Sequence, residues 1–369
     1  MFYMQSMSGE GIFALPPLPL GEGWGEGTSC NTSTNMIRFQ HFLAFLFFAA
    51  LISGVIAAGW FFKAIRTTGP FATERIVYIE PGSPVRVVSA KLIESNIIGN
   101  DVAFILDAKL QCFIGKKWGG GCRELKAGEY QFHPGMSIQD VIALLQSGKT
   151  YQHSITLPEG LMTVEIIDLL QKEPALDGTI STLPPEGSLL PETYHFSRGD
   201  TRQDILNRMN KSMADEIGDL WEKRDPAVPL KTPEEAVVLA SVVEKETGLA
   251  AERPRVAGVF VNRLNRNIPL QSDPTVIYAV TLGHAKLDRS LTYKDLKMAS
   301  PYNTYVTPGL PPTPIANPGK ASLEAVLHPE KNDYIYFVAD GSGGHAFSRT
   351  LAEHNANVEH WRKIEKTPN

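Results

Sequence analysis

The sequence predicts an α+β protein behind a single N-terminal transmembrane helix. Three observations lead there. Positions 42–62 form an uncharged apolar run. After it, strand-like runs such as "RIVYIEPG" and "YIYFVAD" alternate with amphipathic stretches such as "SIQDVIALLQSG". The 369 residues, 43% hydrophobic and 20% charged, can bury a sizeable core in two or three domains. A formal net charge of -5 gives no electrostatic argument for a nucleic-acid partner.

Residues 1–35 differ from the rest. "ALPPLPLGEGWGEGTSCNTSTN" is rich in Pro, Gly and small polar residues and has no period. Such a segment buries too little apolar surface to offset its ordering entropy. Met36 follows directly, so 1–35 reads either as an extension upstream of the true start or as a disordered tail. Residues 36–66 are the anchor, since "FLAFLFFAALISGVIAAGWFF" is long enough for the ~30 Å hydrocarbon core. The run is longer than a signal-peptide core and lacks a small-residue cleavage site, which favours an uncleaved span. Trp60 and nearby Phe residues suit the interface. Arg38 before the span and Lys63 and Arg66 after it leave its orientation open. Of the three cysteines, Cys30 takes no role. Cys112 and Cys122 flank "FIGKKWGGG", whose glycines let the chain turn back. They form a disulfide in an oxidising compartment or remain two structural thiols.

Residues 75–150 read as a small mixed module. "RIVYIEPG" is a strand ending in a Pro-Gly turn. "SPVRVVSAKLIESNII" is a helix with Val85, Val88, Leu92 and Ile93 at helical spacing. "AGEYQF" is a strand, and "SIQDVIALLQSG" a helix capped by Ser137 and ended by Gly148. Residues 151–230 connect. They hold a strand, the Pro-Glu-Gly turn of "LPEG", a helix, the loop and strand "SLLPETYHF", and a long helix with Ile205, Met209, Met213 and Ile217 as its stripe. The prolines of "DPAVPLKTP" mark a boundary.

Residues 231–365 are denser. "TPEEAVVLASVVEKETG" is a helix with Thr232 as cap, Pro233 at its first position and Glu235 three residues after the cap. "RPRVAGVFVNRLNRN" is a second helix, with Val256, Val259, Phe260 and Leu264 on one face. "LQSDPTVIYAVTLG" and the proline-rich loop "SPYNTYVTPGLPPTPIANPG" follow. A short helix, "SLEAVLHP", precedes the strand "YIYFVAD", the glycine turn "GSGGHAF" and a final helix.

The end of the first of these helices, "VVEKETG", holds two glutamates. Leu239, Val242, Val243 and Glu246 fall on one stripe, which predicts a desolvated Glu246. Glu244 lies about 200° away around the axis, on the face of Val237, Ala240 and Ser241. Desolvation raises a carboxyl pKa, and a glutamate held near 6 can donate a proton to a leaving oxygen at neutral pH. The plainer reading is a charged helix end, although the carbonyl end of a helix prefers cations.

Other candidates are weaker. There is no HExxH and no Cys/His pair at zinc spacing, so neither a metal nor a cofactor is expected. GxSxG is absent. "GSGGHAF" lacks a helix start at phosphate-binding spacing and reads as a tight turn. Asp273 serves equally as a helix cap or a site residue. Tyr302, Asn303, Thr304 and Tyr305 either line a sugar groove or pack a loop.

"ASVVEKETG", "RPRVAGVFVNRL", "LQSDPTVIYAV", "SPYNTYVTPGLPPTPIANPG" and "YFVADGSGGHAFSRTLAEHN" occur in this order with short gaps. Together they resemble the endolytic murein transglycosylases of the MltG (YceG-like) type. "AGEYQF", "LPEG" and "SLLPETYHF" agree, and the resemblance leaves out 1–35. It implies a single-pass anchor in the bacterial inner membrane, a LysM-like subdomain over 75–150 and a periplasmic catalytic domain over 231–365. It also implies cleavage of the MurNAc-β-1,4-GlcNAc bond of nascent peptidoglycan strands with 1,6-anhydro ends. Glu246, before Thr247, matches the family's acid better than Glu244, which instead holds the loop or substrate. Gln271, Asp273, Asn303 and Tyr305 are the supporting groove residues. Two alternatives stay open: a non-catalytic peptidoglycan-binding scaffold for cell-wall synthases, and a hydrolase using Glu246, Asp273 and water.

Overall fold

A computed structural model describes residues 32–365, with the side chains of 32–37 left aside. The readings of residues 1–31, Cys30 among them, lie outside the described residues. The chain divides at Ala64/Ile65 into two compact units. The first is the apolar part of α1 (Thr32–Arg66). Within α1, Arg38–Arg66 is 29 residues long and apolar enough to cross a membrane. At 1.5 Å per residue that is about 43 Å, more than the hydrocarbon core requires.

The second unit begins with a strand–helix–helix–strand–helix module. It comprises β1 (Arg75–Ile79), α2 (Val85–Glu94), α3 (Asp101–Lys117), β2 (Gly128–Phe132) and α4 (Ile138–Ser147). β1 and β2 pair antiparallel, from Arg75 opposite Phe132 to Ile79 opposite Gly128. Val77 and Ile79 are buried with Tyr130 and Phe132, as are Leu92, Phe104, Ile142 and Leu145 of the module's helices. Asn100 caps α3 by accepting from the Ala103 N–H, and Ser137 caps α4 reciprocally with Asp140. Gly148 ends α4 at φ 72°, a conformation that costs glycine little. Ile93, expected on the buried stripe of α2, is instead exposed, while Val88 and Leu92 carry the contact. The Cys112–Cys122 pair is disulfide-bonded.

β3 (His153–Thr156), α5 (Thr163–Lys172), β4 (Thr193–Phe196) and α6 (Arg202–Glu222) follow. β3 and β4 pair antiparallel, with Ile155 opposite Tyr194. One end of α6 packs Ile205 and Met209 with Leu157, Ile166 and Phe196. Its other end sends Met213 and Ile217 into the next core. The boundary read at 230 therefore falls beside a helix that serves both cores, and Ile65–Asn369 is one compact unit.

The remaining elements are α7 (Pro233–Glu246), α8 (Arg253–Asn265), α9 (Asp273–Thr281), α10 (Tyr293–Leu296), α11 (Lys320–Leu327), β5 (Tyr336–Ala339), β6 (His345–Ser348) and α12 (Leu351–Glu365). α7 starts as its sequence predicts. Thr232 accepts from the Glu235 N–H, Pro233 opens the helix, and the Glu235 carboxylate takes the Lys231 N–H at 2.6 Å. Every residue from Ala236 to Val243 is buried, because α6, α8, α9 and α11 all pack on this helix. β5 and β6 form an antiparallel hairpin, so "GSGGHAF" is the expected turn leading into a strand.

Asn317 joins the two regions. It is fully buried, and its Nδ2 faces the Leu161 carbonyl, Thr163 Oγ1 and Glu186 Oε1 at 2.9–3.1 Å. Its Oδ1 accepts from the Leu189 N–H at 3.1 Å, and its backbone carbonyl accepts from Gly160 in the "LPEG" turn.

Candidate active site

The last turn of α7 delivers both glutamates. Glu246 leaves on the Leu239–Val243 stripe. Its carboxylate accepts a hydrogen bond from Ser272 Oγ at 2.5 Å. The residue as a whole is half-buried. Its surroundings are nevertheless dense. Loss of hydration is the main reason its pKa is pushed up to about 7. The Ser272 hydroxyl pulls the value down, nearby Asp273 pushes it up, and His345 and Arg263 pull it down again.

Ser272 is placed by a hydroxyl knot. Its backbone N–H donates to Thr304 Oγ1 at 3.0 Å, Thr304 and Thr275 hydroxyls lie 2.8 Å apart, and Thr275 Oγ1 donates to the Ser272 carbonyl at 2.6 Å. This ties "LQSDPTV" to "YNTYV" and fixes the donor that faces Glu246. The buried Arg263 guanidinium supports the same segment, donating to the carbonyls of Leu270 at 2.7 Å and Ile335 at 2.6 Å. Gln271 adopts φ 50° there and accepts from Arg263 at 3.3 Å through Oε1.

Asp273 is exposed and accepts from the Tyr305 hydroxyl at 2.7 Å. Burial, together with the charges of Asp273 and Glu246, holds the Tyr305 hydroxyl well above its ordinary pKa. Tyr305 therefore stays a donor. Glu246, Gln271, Asp273 and Tyr305 thus come together as the sequence suggests.

Two other expected residues sit elsewhere. Asn303 is fully buried, its Nδ2 donating to the carbonyls of Leu296 and Met298 at 3.1 and 2.8 Å. Its Oδ1 accepts from the Tyr305 N–H at 3.0 Å. An amide engaged at both ends has nothing left for a sugar, so Asn303 shapes the loop that presents Tyr305. Glu244 also faces away from solvent, with its side chain 5% exposed. Arg253 meets Oε1 at 3.1 Å, while the Gly319 N–H at 3.0 Å and Ser322 Oγ at 2.8 Å meet Oε2. The solvated helix-end reading fails for Glu244, whose carboxylate is enclosed by donors from Arg253, Gly319 and Ser322.

Three contributors were not singled out in the sequence. Ser272 stood between two named candidates, where a hydroxyl beside an acid was the available signal. Arg263 is a buried cation on a helix whose apolar face alone had been read. His345 opens β6, directly after the glycine turn. Glu252 accepts its backbone N–H at 3.0 Å and lies 2.8 Å from its Nδ1, holding the ring beside Phe337. The arrangement offers one protonatable carboxyl, a donor that steadies its ionised form, and an acid–phenol pair alongside. Such a set can give a proton to a leaving oxygen and take one back.

The sequence model of the YceG-like family matches residues 77–360. An endolytic murein transglycosylase of Bacillus subtilis (strain 168) is 35% identical over 320 residues, covering 77% of this chain and 83% of that protein. One from Streptococcus pneumoniae (serotype 2 strain D39) is 26% identical, covering 86% of this chain and 64% of that longer protein. A solved structure of a YceG-like protein from Listeria monocytogenes is 32% identical, with a TM-score of 0.47, over 78% of this chain and 99% of that one.

Proposed function

The chain belongs to the YceG-like family, and on that premise we propose that it is a membrane-anchored endolytic murein transglycosylase. Its substrate is the peptidoglycan glycan strand. The observation that carries the reading is the Glu246 carboxyl, held by Ser272 at the end of a buried helix and with its pKa pushed up to about 7. At neutral pH a large fraction of such groups holds a proton.

Protonated Glu246 donates to the glycosidic oxygen as the C1–O bond of MurNAc breaks. The sugar's own N-acetyl oxygen stabilises the cationic C1. Glu246, now a carboxylate steadied by Ser272, removes the C6 hydroxyl proton, and O6 closes on C1. The proton count balances within one carboxyl, the product ends in 1,6-anhydro-MurNAc, and no water is consumed. Retaining glycosidases with a covalent intermediate need a second carboxyl about 5 Å away, and this route does not. Gln271, Asp273 and Tyr305 contact the sugar, while Asn303 and Glu244 hold the loops behind it.

α1 anchors the chain in the bacterial cytoplasmic membrane with the body on its outer side, where new strands emerge from peptidoglycan synthases. The strand–helix–helix–strand order of the first module supports a LysM-like glycan-binding role over 75–150, with 151–230 connecting it to a catalytic part over 231–365.

Digestion of purified peptidoglycan followed by mass spectrometry tests the reading. Anhydro ends, one water lighter than reducing ends, are expected from the wild type and not from Glu246→Gln. The exposed Asp273 beside Glu246 favours one second reading, a hydrolase. Reducing ends alone would establish it, and no product at all would leave a binding scaffold.

A further inference from the structure

α3 buries one face and leaves a second apolar face bare. Ala103, Phe104 and Ala108 pack into the module. Val102, Leu106, Leu110, Phe113 and Ile114 are 43–64% exposed. Their spacing sets all five within an arc of about 120°. Trp118, at 80% exposure, continues the stripe past the helix end. The disulfide from Cys112 to Cys122 ties the loop carrying Trp118 back to the helix. Lys109 and Lys116 border the stripe, Lys117 sits at its end, and all three are exposed. The one acid between positions 102 and 118, Asp107, is buried.

A helix that meets only water carries polar residues on that face. An apolar stripe edged by lysines and ended by tryptophan is the pattern of a helix lying in a bilayer surface. The chain supplies a bilayer close by. The module starts where the apolar helix stops: Ile65 and Phe71 are buried, the Gly69 N–H donates to the Met136 carbonyl at 2.9 Å, and Thr68 bridges to Ser137.

We propose that α3 makes a second, interfacial contact with the membrane that α1 spans. Its apolar stripe lies at the boundary of headgroups and acyl chains, and its lysines face anionic headgroup phosphates.

The test uses the full chain in nanodiscs of zwitterionic and anionic phospholipid. The photo-crosslinking residue p-benzoylphenylalanine replaces Phe113 in one sample and Tyr293, an equally accessible residue on α10 (73% exposed), in another. Lipid adducts at 113 several-fold above those at 293 are expected by mass spectrometry. They should fall several-fold with Lys116→Glu/Lys117→Glu or in discs without anionic lipid. Equal adducts at both positions, or adducts at 113 to a second copy of the chain or another protein, would overturn the proposal. Adducts indifferent to lipid charge would overturn the role given to the lysines.

Discussion

Two carboxylates leave the last turn of α7 two residues apart and enter opposite surroundings. Glu244 goes to a region of donors: a guanidinium, a hydroxyl and the N–H that opens α11. Glu246 goes to a region with one close hydroxyl and a neighbouring acid. Both have lost water. Burial alone therefore does not tell the two apart; the count of donors does. A carboxylate given a cation and a helix N-terminus has its oxygens taken up by the fold. One left with a single hydroxyl keeps a proton it can release.

The contrast can be broken by experiment, beginning with the largest effect. Glu246→Gln should lower turnover by on the order of 10²–10⁴-fold while leaving the fold intact, read as product by mass spectrometry beside an unchanged circular dichroism spectrum. Glu244→Ala should do the reverse, costing about 3 kcal/mol of stability because Arg253 loses a buried partner. A denaturant titration measures that loss. A Glu244 variant that stayed fully stable but inactive would exchange the roles assigned here.

Stability against pH sharpens the contrast further. The folded state holds the Glu246 proton up to about pH 7, above the ordinary carboxylate range. The stability this contributes is complete below the unfolded pKa and is lost as pH rises through about 7. Glu246→Gln should remove that loss, gaining on the order of 2 kcal/mol over wild type at pH 8 relative to pH 4. Equal pH dependence in the two proteins would mean Glu246 is not desolvated.

The smallest effects concern the pH–rate profile, which should fall on its alkaline side near 7, where Glu246 loses its proton. Asp273→Asn removes a like charge and should move that limb to lower pH. Ser272→Ala removes a donor to the carboxylate and should move it higher. Opposite displacements, measured as kcat/KM on peptidoglycan, follow from the causes assigned above, whereas shifts in the same direction would contradict them.

Much of the fold was legible because the signals are local. The cap and first-turn proline of α7, the Ser137 cap and the α6 stripe all appear where their residues stand in sequence. α3 was not legible, because a helix with apolar residues on two faces loses the one-sided period that reveals amphipathic helices. Within the site, Glu246 was legible from its stripe and Asp273 from its neighbourhood. The surroundings of Glu244 were not, since Gly319 and Ser322 lie more than seventy residues away and nothing local announces them. Asn303 misled for a related reason: whether an amide faces a ligand or its own loop depends on carbonyls whose direction no residue pattern reveals.

The Asn317 side chain fastens the loop before α11 to Leu161, to Thr163 at the start of α5 and to Glu186, and its successor is Pro318. Asparagine ages by attack of the following backbone nitrogen on its side-chain carbonyl, and proline has no N–H to offer. That clasp is therefore shielded from the commonest spontaneous damage to its residue type.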